Sequence, residues 1–256
     1  MESLTEIGYQ VFNFQALSGR GDNLTHPVYH RGTGPAVLVI QELPGIGREM
    51  LRLASRLEEG GFEVFMPHLF GPLGKTDPVG NSVRVMCMRR EFSIFSSRKT
   101  SPITSWLRAL CKSIAGRSQC PKIGVIGMCL SGNFALSLMT EPQVHAAVSS
   151  QPSIPIHRHD VLHMSDHELS QLRDAIDSKG PVHAYRFAGD PLCTSRRFRS
   201  LDEALNSPGN ERVVLHTLPG LGHAVLTTHF VDKQGHPTWE ALRDVIHYFQ
   251  SQLTQS

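Results

Sequence analysis

The sequence predicts an α/β fold, a mostly parallel central sheet with helices on both faces and a short lid-like insertion. Three observations carry that prediction. Short apolar runs alternate with longer stretches of helical periodicity, the pattern of repeated βα units. The run Ala36 to Glu42 is continuously apolar before its polar end, as a strand buried on both faces is. No internal repeat, low-complexity tract or Pro/Gly/Ser linker divides the 256 residues, so one domain over 1–256 is expected, with the insertion at about 154–180.

The first strand is "AVLVIQE", Ala36 to Glu42, an apolar run that ends in polar residues. "REMLRLASRLEEGG" follows as a helix with Met50, Leu53 and Leu57 on one face and Gly60 and Gly61 as its stop. "FEVFMP" is the next strand, and helical stretches lie around Val83 to Phe95 and Ser105 to Ala115. Then come the strand "KIGVIGM", the helix "NFALSLMT" and the strand "VHAAVSS". Residues Ile154 to Gly180 break the rhythm; they hold no strand, and Ser165 with Glu168 has the spacing of a capping box that opens a helix. Such a stretch is expected to form a lid, a pocket wall or a surface decoration. The alternation resumes with "VHAYRFAGD", the helix "RFRSLDEAL", the strand "RVVLHTLP" and a closing helix "TWEALRDVIHYFQSQL".

Composition excludes several function classes. A net charge of +2 with histidines neutral, and no basic stripe interleaved with aromatics, leaves nothing to grip a polyanion, so no nucleic-acid partner is expected. No segment approaches the roughly 18 apolar residues that span a bilayer. The start "MESLTEIGYQVFNF" lacks the basic and apolar regions of a secretory signal. The five cysteines are widely spaced, odd in number and without a C-x-x-C pair. They fit a reducing cytoplasm, where a thiol stays free, better than a disulfide framework or a zinc ribbon.

The chemistry concentrates at "IGMCLSGN". A strand-to-helix turn of the form G-x-nucleophile-x-small holds its central residue in a strained backbone, so the residues two before and two after must be small. Gly127 and Ser131 occupy those places around Cys129, and Gly132 gives helix and strand further room. Ser131 itself is a poor nucleophile candidate, because its flanks would be Cys129 and Asn133 and it lies past the tip. Cys129 is thus either a thiol held above the sheet at a helix start or a small buried hydrophobe in a tight turn. The order of partners favours the first. Asp190 ends the strand "VHAYRFAGD", and His223 stands in a glycine-bracketed loop after "RVVLHTLP". Nucleophile, acid and base in that chain order, each at a strand end, form the pattern of a hydrolytic triad.

"QELPGIG", "IGMCLSG", "AGD" and "GLGH" together resemble the dienelactone hydrolase family, enzymes of the α/β-hydrolase fold with a Cys-His-Asp triad. The resemblance runs from about Ala36 to the closing helix. It implies Cys129 as nucleophile, His223 as base, Asp190 as acid and Glu42 as a glutamate that contacts the resting thiol. It also implies an oxyanion hole formed by the backbone N–H groups of Leu43 and Leu130. The family's arginine on a helix upstream of the nucleophile corresponds to Arg89 or Arg90, which adjacency leaves unassigned. Its second arginine, shortly after the triad histidine, has no counterpart, since Ala224, Val225, Leu226 and Thr227 stand there. That departure points to a less anionic ester or lactone in an apolar pocket.

The histidines His157, His159, His163 and His167 crowd one segment, but the capping signal at Ser165 starts the helix after His163 and breaks the spacing that would align metal ligands. Neither a metal nor a cofactor is expected. The sequence therefore predicts a cytoplasmic hydrolase, monomeric or homodimeric, that cleaves small-molecule esters or lactones through a thioester, with activated aryl esters, phosphotriesters included, as side substrates. A catalytically silent domain that binds a ligand or partner is the alternative, and a cysteine peptidase a third reading.

Overall fold

The computed structural model describes residues 4–43, 45–71, 73, 102–118, 120–153 and 164–254. Eight strands form one sheet: β1 (Gln10–Leu17), β2 (Asn23–Arg31), β3 (Ala36–Ile40), β4 (Glu63–Pro67), β5 (Ile123–Met128), β6 (Val144–Ser150), β7 (Val182–Phe187) and β8 (Val213–Leu218). Their spatial order is β1-β2-β4-β3-β5-β6-β7-β8. From β4 to β8 every pairing is parallel; β1 with β2 and β2 with β4 are antiparallel. The order reverses at β3, and in open α/β sheets the crevice at the carboxyl ends beside such a switch point is where ligands bind.

The strands read as apolar runs because each face of the sheet meets helices. In β3 every residue is buried, with Ala36, Leu38 and Ile40 in one core and Val37 and Val39 in the other. The second core holds α1 (Arg48–Glu59) through Met50, Leu53 and Leu57, the face expected from its periodicity. The closing helix, α6 (Pro237–Leu253), shares that side through Val245 and Phe249. The first core receives α2 (Pro102–Arg117), α3 (Gly132–Leu138), α4 (Asp166–Lys179) and α5 (Ser195–Leu205). Full burial of one Leu, Ile or Phe side chain contributes about 1.5–3 kcal/mol, so this two-sided packing sustains the sheet.

Two features differ from the sequence reading. The sheet starts not at Ala36 but with the hairpin β1–β2, whose Phe12, Phe14 and Ala16 rest on the first core while the alternate residues face outward. The helix of the 154–180 insertion is not a lid. After the capping box, in which the Glu168 N–H donates to Ser165 Oγ and the Ser165 N–H to Glu168 Oε2, α4 buries Leu172 and Ile176 in the first core. It is the crossover between β6 and β7, because two adjacent parallel strands need a connection that returns along the sheet. The expected helix around Val83 to Phe95, both Arg89 and Arg90, and His157, His159 and His163 lie outside the described residues. His167 sits exposed in the first turn of α4. Among the described residues no helix is long and apolar enough to cross a membrane.

Candidate active site

The sheet register brings the expected residues to one edge. Ile40 of β3 pairs with Gly127 of β5, Met128 with Ser150 of β6, Ser150 with Tyr185 of β7, and Phe187 with Leu218 of β8. Glu42, Cys129, Gln151, Asp190 and His223 all follow just beyond these pairs, at the carboxyl ends of neighbouring strands.

Cys129 has φ +56°, one of two positive values outside glycine among the described residues. A left-handed backbone at a residue with a Cβ costs about 1–2 kcal/mol, and the neighbours enforce it. A Cβ on Gly127 would lie 2.1 Å from the Ser131 carbonyl oxygen, and one on Gly132 would lie 2.9 Å from Ser149 Oγ. Ser131 takes the packing role its position suggests. Its Oγ accepts from the Met128 N–H at 2.8 Å and lies 3.0 Å from the Ile40 carbonyl, tying the turn to the end of β3. Cys129 starts a short 3-10 turn, Cys129–Ser131, that runs directly into α3.

His223, half-buried, pairs with the buried Asp190. The His223 Nδ1–H lies 2.8 Å from Asp190 Oδ2 and 3.0 Å from Oδ1, and the Asp190 side chain is 0 % exposed. The carboxylate is also held by the N–H groups of Leu192 at 2.8 Å and Cys193 at 2.9 Å, both on Oδ1. Burial works against a charged His223, but the bond to Asp190 and the neighbouring Cys129 sulfur outweigh it and raise the imidazole to about 10. Although the sulfur is close enough to act on the ring, the geometry falls short of a hydrogen bond, and the buried Nε2 has no partner among the described residues. With Nδ1 on Asp190, Nε2 is the nitrogen that carries the second proton when the ring is charged.

Glu42 is 8 % exposed and does not meet the thiol. Thr227 Oγ1 donates to its Oε1, and Gln151 Nε2 donates to Oε2 at 3.0 Å. A hydroxyl and an amide are stronger donors than a thiol, which is why the carboxylate turns to them. Burial pushes the Glu42 carboxyl up, while the Thr227 bond and the charge of His223 pull the other way. The sulfur pairs with Ser153 Oγ instead, at 3.1 Å. Leu43 and Leu130, the expected oxyanion donors, line a narrow cavity of about 10 Å³ with Leu69, Phe70 and Phe134 and with the polar Gln41, Glu42 and Ser131.

Four contributors escaped the sequence reading. Gln151 Oε1 accepts from Val225 N–H at 3.2 Å, joining the Glu42 carboxylate to the loop that carries His223. Thr227 closes that loop onto Glu42 through its hydroxyl. His229 Nδ1 accepts from the Ala224 N–H at 3.2 Å and lies under Gly222, where a Cβ would come within 2.8 Å of its ring. Ser153 is the fourth. The one signal that points to Gln151 and Ser153 is their place just past the apolar strand "VHAAVSS", at the same sheet edge as the triad candidates. Among the described residues no cluster of three or more His, Cys, Asp or Glu side chains could hold a metal ion.

A family model described as "Dienelactone hydrolase family" matches residues 24–253. A comparison with curated proteins finds no match. Among solved structures, a putative dienelactone hydrolase from Klebsiella pneumoniae subsp. pneumoniae MGH 78578 aligns over 96 % of this chain and 100 % of its own. The TM-score is 0.63 at 17 % identity. A cold-adapted esterase from an Arctic intertidal metagenomic library aligns over 99 % and 97 %, with TM-score 0.62 and 15 % identity. The dienelactone hydrolase-like promiscuous phosphotriesterase P91, from metagenomic libraries, aligns over 93 % and 98 %, with TM-score 0.59 and 14 % identity. At these identities the likeness is one of fold.

Proposed function

We propose, for a chain that belongs to the dienelactone hydrolase family and is a carboxylic-ester hydrolase, that catalysis runs through a Cys129 thioester. The observation that carries this reading is the strained backbone of Cys129 at φ +56° at the same sheet edge as the Asp190–His223 pair. A positive φ on a residue with a side chain, in a turn that admits nothing larger than glycine at position 127, is a cost that aims the sulfur above the sheet.

His223 Nε2 takes the thiol proton, and the thiolate attacks the ester carbonyl. The carbonyl oxygen becomes an oxyanion that the Leu43 and Leu130 N–H groups stabilise. The His223 imidazolium then protonates the leaving alcohol, leaving an acyl group on sulfur. In the second half His223 activates a water that cleaves the thioester and restores the thiol. Asp190 keeps the Nδ1–H tautomer and stabilises the charged ring throughout. Glu42 adds a carboxylate near His223 and, through Thr227 and Gln151, anchors the histidine loop.

The residues beside the expected oxyanion donors include Leu69, Phe70 and Phe134 and the carboxyl of Glu42, a setting without a cation among the described residues that supports an uncharged ester over an anionic one. A polarizable sulfur next to that hole also suits displacement of a good aryl leaving group from phosphorus, and the fold is shared with a promiscuous phosphotriesterase. Phosphotriester cleavage is therefore proposed as a side activity.

The deciding experiment is hydrolysis of p-nitrophenyl esters by wild type and Cys129→Ala, with intact-mass detection of an acyl adduct after rapid acid quench. Loss of turnover together with an adduct on Cys129 supports the mechanism. Full activity in Cys129→Ala refutes it.

A further inference from the structure

We propose that Ser153 is a fourth member of the reacting group: its hydroxyl donates to the Cys129 sulfur and stabilises the thiolate that attacks the ester. The inference rests on the reading of Cys129 as nucleophile and extends it to a residue outside the Cys-His-Asp set.

Ser153 Oγ lies 3.1 Å from Cys129 Sγ, and the Ser153 N–H donates to the Cys129 carbonyl at 3.1 Å. The residue therefore grips both the backbone and the reacting atom of Cys129. It is 4 % exposed, and among the described residues the sulfur is the sole partner of its hydroxyl. The turn that delivers it is specially built. Gln151 adopts φ +36° while its side chain is fixed between Glu42 and Val225. Pro152 packs against Gly132, where a Cβ would come within 3.1 Å of the proline Cα.

The direction of the effect follows from the donor inventory. With a neutral thiol either atom can donate, and the bond is a neutral one of ordinary strength. Once the proton has passed to His223, the sulfur can only accept, and the Ser153 O–H must donate to it. Hydrogen bonds to an ionised partner are roughly twice as strong as neutral ones, so the contact gains strength on ionisation and favours the thiolate. It also replaces part of the hydration that the anion gives up in a half-buried place. The titratable groups that act on this sulfur are His223, from the loop after β8, and Cys193, from the loop after β7; Asp190 and Glu42 act on His223 in turn. Burial pushes the Cys193 thiol up, so it stays protonated and does not compete.

The test is the pH dependence of Cys129 alkylation by iodoacetamide, read by peptide mass spectrometry in wild type, Ser153→Ala and Ser153→Thr. Ser153→Ala is expected to move the inflection up by about one pH unit, equal to a tenfold smaller thiolate fraction below it. Its kcat/KM for a p-nitrophenyl ester should fall by about the same factor on the acid side of the profile. Ser153→Thr, which keeps the hydroxyl, should return the inflection toward wild type. A Ser153→Ala inflection that stays in place or moves down overturns the proposal. If alanine prevents folding, Ser153→Gly carries the same expectation. An acyl adduct on Cys129 with an unmoved inflection overturns this inference alone, whereas a fully active Cys129→Ala overturns the reading beneath it.

Discussion

Replacing Asp190 by asparagine changes almost no volume, yet the hydrogen bonds around it dictate the outcome. Oδ1 receives the N–H groups of Leu192 at 2.8 Å and Cys193 at 2.9 Å and lies 3.0 Å from His223 Nδ1, while Oδ2, whose one hydrogen-bond partner among the described residues is Nδ1, is the nearer oxygen to it, at 2.8 Å. In Asp190→Asn the amide oxygen must stay at the Oδ1 position, because an NH2 there would oppose two backbone donors. The NH2 group then points at Nδ1, which has to accept, and the ring proton moves to Nε2. A histidine protonated on Nε2 and neutral has no lone pair to offer the thiol. The same tautomer reversal in a serine-protease triad costs about 10⁴ in kcat, or about 5.5 kcal/mol in activation free energy. A fall of about 10³–10⁴ is expected here, in steady-state hydrolysis of a p-nitrophenyl ester. Because both loop amides keep their acceptor, the fold loses only the charged character of these bonds, about 1–2 kcal/mol. For a chain of this size that corresponds to a melting temperature lower by about 2–8 °C. An Asp190→Asn protein that melts in that range and keeps more than about a tenth of its kcat/KM would refute the tautomer argument.

Three further outcomes follow from the same geometry. Gly127→Ala sets a methyl 2.1 Å from the Ser131 carbonyl oxygen, so a loss of about 3 kcal/mol and a melting point lower by about 6–12 °C are expected in a thermal melt. Glu42→Leu strands the Gln151 amide and the Thr227 hydroxyl in a buried site and should cost about 2–5 kcal/mol, whereas Glu42→Gln, which can pair with both, should cost less than about 1 kcal/mol; denaturant titration separates the two. His223 is raised to about 10 in the folded chain, above the ordinary imidazole value near 6.5. A raised value means the folded state holds the proton more tightly, so the stabilisation is complete below about pH 6.5 and disappears as pH climbs through 10. The difference in melting temperature between wild type and His223→Gln should therefore shrink over that window, and a difference that grows with pH contradicts the assignment.

The sequence by itself determined the parts of this protein that depend on local pattern. Short, mainly apolar runs marked β3 to β8, the periodicity of Met50, Leu53 and Leu57 marked the buried face of α1, and Ser165 with Glu168 marked the start of α4. The spacing of Gly127 and Ser131 singled out Cys129, and the chain order of Cys129, Asp190 and His223 set three residues at strand ends. Each of these signals lives within a few residues, where sterics and hydrogen bonding act directly. Even there one local signal was passed over: the alternation of Phe12, Phe14 and Ala16, the mark of a half-buried strand.

Tertiary structure alone decided who touches whom at the sheet edge. Glu42 and Thr227 are 185 residues apart in sequence, and Gln151 and Glu42 are 109 apart, so no local pattern could pair them. A buried carboxylate takes the strongest donors that the fold brings within reach, and here those are a hydroxyl and an amide rather than the thiol. The same competition left the Cys129 sulfur to Ser153, 24 residues further on. Likewise, the insertion helix became a crossover rather than a lid because Leu172 and Ile176 found a core to enter. Local chemistry could nominate Cys129, but its surroundings were set by register, which places polar side chains from separate strands at one depth.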